Sequence, residues 1–429
     1  MSLIGRLVNT LLPTGSITLL QPGKPPETLG GGGKGKHLTV RFTDNKVGFS
    51  IARNPRLGFG EAYMDGRLVI EDGTILDLME LVVGTNRWED AGQGRKRMSA
   101  GKRTLKRLFS TNNLVRARRN VAHHYDLKDE LYELFLDDDK QYSCAYFTDP
   151  GNSLEQAQLD KKAHIAAKLA LEPGQRVLDI GCGWGGMALF LHKVAKVDVL
   201  GVTLSEHQLK IARQRADAAG VSDHVKFELI DYRNIDDRFD RIVSVGMFEH
   251  VGGDHYDEFF AKCRDLLKPD GVMLLHTIGR LGGPSKTPDP FTDKYIFPGY
   301  HLPALSEMSA ASENARLIAS DFEMLRLHYA YTLREWLKRF DAQRDAVVKM
   351  YDERFVRMWE YYLAGGIVMF ESGSACNYQV QYIRDRRAVP ITRDYMVDAE
   401  ERYRRLGAEA SPAKRGRARA KRALEPSGA

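Results

Sequence analysis

At 429 residues and 48.4 kDa, the chain exceeds the roughly 250–300 residues at which one hydrophobic core stops growing, so two domains are expected. A composition of 43% hydrophobic and 28% charged residues excludes global disorder, a collagenous repeat and a disulfide scaffold. Net charge is a modest +6, no apolar run approaches the ~18 residues of a membrane span, and 4 cysteines without a C-x-x-C pair fit a reducing, cytoplasmic setting with no metal site.

Reading from the start, MSLIGRLVNTLLPTG is too short in apolar length for a signal peptide and has no small-residue cleavage site. Residues 30–36, GGGGKGK, resemble a phosphate loop in spacing, but His37 stands where a Ser or Thr is required and no hydrophobic strand precedes. A flexible loop is expected there. His37–Phe42 alternates as a strand, and residues 1–90 read as a small α/β domain for lipid docking or dimerisation. Residues 91–119 form a basic linker, with Arg95, Lys96, Arg97, Lys102, Arg103, Lys106, Arg107, Arg116, Arg118 and Arg119 and no acid from 95 onward. Such charge suits anionic lipid heads, and no nucleic-acid-reading motif accompanies it.

From Pro173 the pattern becomes regular strand and helix alternation, with strands expected at 176–180, 197–203, 224–230, 241–247 and 272–278. Ser205-Glu206-His207-Gln208 opens a helix with an S-x-x-Q capping box, and Lys268-Pro269-Asp270-Gly271 reads as a turn. This predicts a doubly wound, mostly parallel sheet in a catalytic domain over 120–400. Residues 282–300 read as an aromatic lid insertion, helical patterns return at 336–350 and 355–363, and 401–429 is expected to be a disordered basic tail.

Gly181-x-Gly183-x-x-Gly186 satisfies a dinucleotide fingerprint, which alone is weak. Asp179 just before it places a carboxylate beside the crevice, and Gly185 completes the turn. The next strand ends in Thr203, not the acid that a nicotinamide site uses on ribose. S-adenosylmethionine fits better than NAD.

The blocks VLDIGCGWGG (177–186), GVTLSEHQ (201–208), YSCAYF (142–147), His124-Tyr125-Asp126, FEHVG (248–252) and LHTI (275–278) together resemble, in motif order along the chain, the cyclopropane-fatty-acid synthase family of fatty-acid methyltransferases. The resemblance covers about residues 120–396 and reaches weakly into the first domain at residues 58–66. It implies a seven-stranded class I methyltransferase sheet and, as substrate, a cis double bond in a phospholipid acyl chain, converted to a cyclopropane. Tyr142, Ser143, Gly181, Gly183, Thr203, Gln208, Asp231, Tyr232 and Arg233 would line the S-adenosylmethionine site, with His124 and Tyr125 in the substrate pocket. A bicarbonate ion would accept the proton, held by Cys144, Glu249, His276, the Ile278 backbone and Tyr329.

Two departures are visible. Gly366 stands where some relatives carry a cysteine, so no cysteine nucleophile is assigned. Residues 370–381 (FESGSACNYQVQ) differ from the cyclopropane-forming pattern, which keeps open a methyltransferase giving a branched or methylated unsaturated chain. A noncatalytic membrane-binding scaffold is the reading from another class. The expected setting is cytoplasmic and peripheral on the inner membrane surface, with a homodimer suggested by analogy.

Overall fold

The computed structural model describes residues 12, 14–32, 35–84, 87–90, 127–285 and 287–409. His124, Tyr125, the basic segment 91–119 and the tail beyond 409 lie outside the described residues.

The first sheet contains β1 (Gly15–Leu20), β2 (Glu27–Gly32), β3 (His37–Phe42) and β4 (Leu68–Ile70) in the order β2-β1-β3-β4. Its alternation places Ile17, Leu19, Leu38, Val40 and Phe42 inward, where they meet Val47 and Ile51 of the helix Lys46–Arg53. Part of the expected glycine loop is strand instead: Gly32 pairs with Gly15, and Lys36 is tied to Asp77 by an ion pair. The first domain packs on the helix Glu353–Glu371 of the second. Tyr63 donates to Glu360 at 2.8 Å, and a Cβ at Gly60 would come within 2.5 Å of Phe291 and 2.9 Å of Tyr361.

The second sheet has seven strands: β5 (Arg176–Ile180), β6 (Asp198–Thr203), β7 (Val225–Leu229), β8 (Phe239–Val245), β9 (Leu267–Arg280), β10 (Ile318–Met324) and β11 (Ala375–Ile383). Their order is β10-β11-β9-β8-β5-β6-β7, parallel from β9 through β7 and antiparallel where β11 meets β9 and β10. The doubly wound reading is therefore correct, with differences at the margins. β9 starts at Leu267, which pairs with Phe239 of β8; the register then shifts and the ladder resumes at Val272 opposite Arg241, so the expected Lys268–Gly271 turn is an irregularity within the strand. The helix Asp394–Ala408 extends past residue 401, so the first residues assigned to the tail are ordered, with Tyr403 buried against the core.

Residues 375–383 were not expected as a strand. ACNYQVQYI alternates, which suggests one wet face, yet every residue of β11 is buried. Its polar face is covered by the helix Leu154–Lys168, itself buried on most sides despite Gln158, Asp160, Lys161, Lys162, His164 and Lys168. Gln381 donates to the Lys168 carbonyl, so buried polar groups on the two elements satisfy each other.

An aromatic cluster between the sheet and the C-terminal helices contains Phe135, Trp336, Phe340 and Trp359, all almost fully buried. Truncating Trp336 leaves a large cavity there. Trp336→Ala is expected to cost about 3–5 kcal/mol and to lower the thermal midpoint sharply. A midpoint no lower than that of the surface variant Lys349→Ala, in parallel melts, would contradict this packing.

Candidate active site

The carboxyl ends of the parallel strands and the loops after them enclose a cavity lined by Tyr142, Ser143, Asp179, Gly181, Gly183, Thr203, Gln208, Asp231, Tyr232 and Arg233. Gly181 has φ +81° and lies so close to Met247 that an added Cβ would sit 2.8 Å from its side chain. Gly183, at φ +54°, faces open space, which leaves its backbone free to approach a ligand. Gly185 is not on the cavity wall. It caps the helix Gly186–Ala195 at φ +83°, pressed on the Phe227 ring.

Ser205 accepts from the Gln208 backbone N–H, forming half of the expected capping box. The other half does not form, because the Gln208 side-chain oxygen accepts from the Thr203 hydroxyl at 3.1 Å. That bond fixes two cavity groups against each other. On the next loop Arg233 donates twice to Asp231, at 2.9 and 2.8 Å.

Asp179 is buried, and its Oδ2 has no hydrogen-bond partner. Burial pushes its carboxyl up to about 7, partly opposed by the positive charge of Lys161. A buried, unsatisfied carboxyl on a cavity wall suits a cationic ligand. Together with the exposed glycine backbone, it fits the ammonium-bearing methionine part of S-adenosylmethionine.

Beyond the cavity floor lie the residues assigned to the chemistry. Glu249 sits in the turn Phe248–His250 after β8, where its own carbonyl accepts from the His301 N–H of the insertion. Its Oε1 accepts from the Ile278 N–H at 2.6 Å, while Oε2 is buried without a partner. Burial raises this carboxyl to about 7, against the lowering effect of the Ile278 bond. Tyr329, on the helix His328–Ala342, shares one apolar cluster with Cys144 and packs edge-on against Trp336, 5.9 Å between centroids. Burial raises the Tyr329 hydroxyl well above its usual value, with Tyr362, Cys144 and Glu249 adding to the shift. Cys144 is likewise raised by burial and remains a thiol.

His276 is placed differently from expectation. Its two ring nitrogens lie 3.1 Å from the amide groups of Asn377 and Gln379 on β11. A neutral imidazole donates from one nitrogen and accepts at the other, so one amide presents nitrogen and the other oxygen. Both positions are thereby used, and burial drives the ring well below its usual pKa, so it is neutral. The Ile278 N–H is likewise committed to Glu249. Of the groups expected around a small anion, Glu249 Oε2 and the Tyr329 hydroxyl remain available, while the His276 ring does not.

Sequence reasoning missed Asn377 and Gln379, because the alternation of β11 reads as a half-wet strand whose polar side chains face solvent, whereas every residue of it is buried. It also missed His250, which lines the cavity and is held neutral by burial at about 4. Lys161 escaped for the same reason as its helix: polar residues on every side conceal a core element.

A mostly parallel sheet with a glycine loop after its first strand, a ligand cavity at its carboxyl end and antiparallel strands β10 and β11 at one edge is the architecture of class I methyltransferases, a class that the solved structures of similar chains share. A sequence profile described as mycolic acid cyclopropane synthetase matches residues 112–380. The cyclopropane-fatty-acyl-phospholipid synthase of Escherichia coli K12 is 41% identical over 341 residues, covering 78% of this chain and 85% of that one. A probable fatty acid methyltransferase of Pseudomonas putida is 41% identical over 288 residues, covering 64% and 73%. The crystal structure of mycolic acid cyclopropane synthase CmaA1 complexed with SAH and CTAB aligns with a TM-score of 0.59 and 34% identity, over 62% of this chain and 97% of that one. The chain belongs to the mycolic acid cyclopropane synthetase family, and it is a methyltransferase.

The state of Glu249 gives a pH prediction. Between its ordinary value of 4.5 and about 7, the folded protein holds a proton that the unfolded chain has released. Stability from this group is therefore complete below that window and lost above it. Glu249→Gln, which keeps the acceptor for Ile278, is expected to stabilise by about 1–3 kcal/mol at pH 8 and to be near neutral at pH 4.5. Thermal melts at the two pH values decide; an equal effect at both contradicts the buried, protonatable carboxyl.

Proposed function

We propose that the protein uses S-adenosylmethionine to add a methylene group across the cis double bond of unsaturated phospholipid acyl chains, forming cyclopropane fatty acids. The observation that carries this reading is the buried, unpartnered Glu249 Oε2 within the electrostatic surroundings of an aromatic-walled site. Tyr142 stacks on Trp336 at 5.1 Å, and its hydroxyl lies 3.3 Å from that of Tyr362.

An isolated alkene is a weak nucleophile with no acidic proton to remove, so geometry and exclusion of water must do most of the work. Bound S-adenosylmethionine supplies an electrophilic methyl group. Asp179 and the Gly181–Gly183 backbone would hold the donor, and the aromatic wall would align the double bond with it. The alkene's π pair would form the new carbon–carbon bond as the sulfur–methyl bond breaks, its electron pair leaving with S-adenosylhomocysteine, and a cation would remain on the neighbouring alkene carbon. Tyr142 and Tyr329 can face that cation, and the protonated Cys144 offers no thiolate to trap it. Ring closure uses the electron pair of a methyl C–H bond and releases one proton. Glu249, whose carboxyl burial raises to about 7 and whose Oε2 has no hydrogen-bond partner, would take or relay it in its ionised form. A bicarbonate ion, if bound, would be a small base held by Glu249 Oε2 and the Tyr329 hydroxyl. Gly366 packs against Leu333, and the scheme needs no nucleophile at that position.

The second reading keeps the methyl transfer and ends in a branched or methylated unsaturated chain. The P. putida relative described as a probable fatty acid methyltransferase favours carrying it. Both products gain one CH2, so mass spectrometry of acyl chains from phospholipid vesicles incubated with S-adenosylmethionine tests methyl transfer itself. Loss of olefinic proton signals then separates the ring from the methylated alkene. No mass gain overturns the reading for those lipids, and absence of S-adenosylmethionine binding in calorimetry would favour a noncatalytic scaffold.

Glu249→Gln is expected to lower kcat by about 10²–10⁴ while leaving donor affinity nearly unchanged. A large loss of donor binding would contradict the proton-handling role. Among the described residues, no helix is long and apolar enough to cross a membrane. The basic segment 91–119, with no acid from 95 onward, suits anionic lipid heads, and access to lipid is assigned to peripheral docking through it. Neutralising Arg95, Lys96 and Arg97 is expected to weaken binding to anionic vesicles, more at low salt than at high. Sedimentation with such vesicles checks this, and indifference to both charge and salt contradicts it.

A further inference from the structure

Lys161 lies in the helix Leu154–Lys168 with no exposed surface, an unusual place for a lysine. Its ammonium donates to two neutral oxygens, Gln141 Oε1 at 2.7 Å and Ser143 Oγ at 2.8 Å. One helical turn back, Gln158 donates to the backbone carbonyls of Gln141 and Ser143, at 3.1 and 3.0 Å. Residues three apart share a helix face, so two side chains grip the same short segment from behind. The front of that segment is the cavity wall, where Tyr142 and Ser143 face the donor pocket.

We propose that Lys161 is a positioning residue for the methyl donor: it holds the Tyr142-Ser143 wall of the donor cavity in place. The inference rests on the S-adenosylmethionine reading of the cavity and adds to it a residue outside the cavity lining. The alternative is a lysine that serves the fold alone. Against that stands its choice of partners. A merely structural buried cation is expected to pair directly with a carboxylate, as Lys162 does with Asp139 and Lys168 with Glu323. Lys161 instead donates to the backs of groups that form the ligand wall.

The charged surroundings are defined on every side. Burial lowers Lys161 to about 7, with Asp137 and Asp139 opposing the shift and Lys162 adding to it, so its positive charge is present on the acid side of neutrality. Asp179 on β5 feels Lys161 as its one resolved charge influence, and His276 on β9 feels it together with Lys168, His164 and Glu323. Removing the positive charge therefore leaves the Asp179 carboxyl harder to ionise. If the ionised carboxyl holds the donor, the acid limb of donor affinity must move to higher pH. A lysine needed only for folding would not move it.

The test is calorimetric titration of the full chain with S-adenosylmethionine from pH 6 to pH 9, for wild type, Lys161→Met and Ser143→Ala. Lys161→Met is expected to weaken donor binding about tenfold at pH 7.5 and to shift the acid limb upward by about one pH unit. Ser143→Ala keeps the charge, so a roughly threefold weakening is expected with the limb in place. The double variant is expected to bind no worse than Lys161→Met alone, because the two act through one contact. If Lys161→Met binds within twofold of wild type with its limb unmoved, the proposal is overturned, whatever its melting temperature. If that variant does not fold, unchanged affinity in Ser143→Ala overturns it. A wild-type chain that binds no S-adenosylmethionine would instead sink the underlying cofactor reading.

Discussion

The structure depends on keeping two carboxyl groups out of water with one oxygen of each unsatisfied. Asp179 and Glu249 are both buried, each carries an oxygen without a partner, and burial raises each to about 7. Leaving such oxygens unpaired costs stability. Asp179 lies at the end of β5 on the cavity wall and Glu249 in the turn after β8, and the roles proposed for them, holding a cationic donor and handling a proton, would give that cost a use. The rest of the fold is arranged to make the two tolerable. Parallel strands put both at one edge, the Ile278 N–H satisfies half of Glu249, and Lys161 lends Asp179 a positive field without a direct contact.

The aromatic cluster contributes the second half of the chemistry. Trp336, Trp359, Phe135 and Phe340 form a dry core on which Tyr142 and Tyr329 are mounted. Because both tyrosines lie at the surface of this core, their orientation is set by packing and not by solvent. The insertion completes the enclosure: Phe291 is fully buried against the first domain, and His301 is bonded to the Glu249 carbonyl. Lid, first domain and catalytic turn are thus parts of one connected packing arrangement.

Much of this was legible in the sequence, for reasons that can be named. VLDIGCGWGG announces a buried strand, a turn that requires positive φ, and a helix start, and these local requirements do not depend on distant neighbours. The parallel strands likewise advertise themselves as apolar runs between helices. What stayed hidden depends on partners far away in sequence. β11 alternates polar and apolar residues as a half-wet strand would, and partners distant in sequence make its polar side chains interior: Gln381 donates to the Lys168 carbonyl and to the Tyr395 hydroxyl. The same long-range pairing places Asn377 and Gln379 on His276, which removes the ring from the anion-holding role expected of it. Gln208 is a smaller case, since its side chain prefers Thr203 to the helix cap.

The most direct test of the account is a crystal structure with S-adenosylhomocysteine bound. The account predicts the ligand's amino group within hydrogen-bond distance of Asp179 Oδ2, directly or through one water, and its sulfur facing the cluster that holds Tyr329 and Glu249. A ligand that leaves Asp179 unpartnered, or whose sulfur points away from Glu249 and Tyr329, would contradict it.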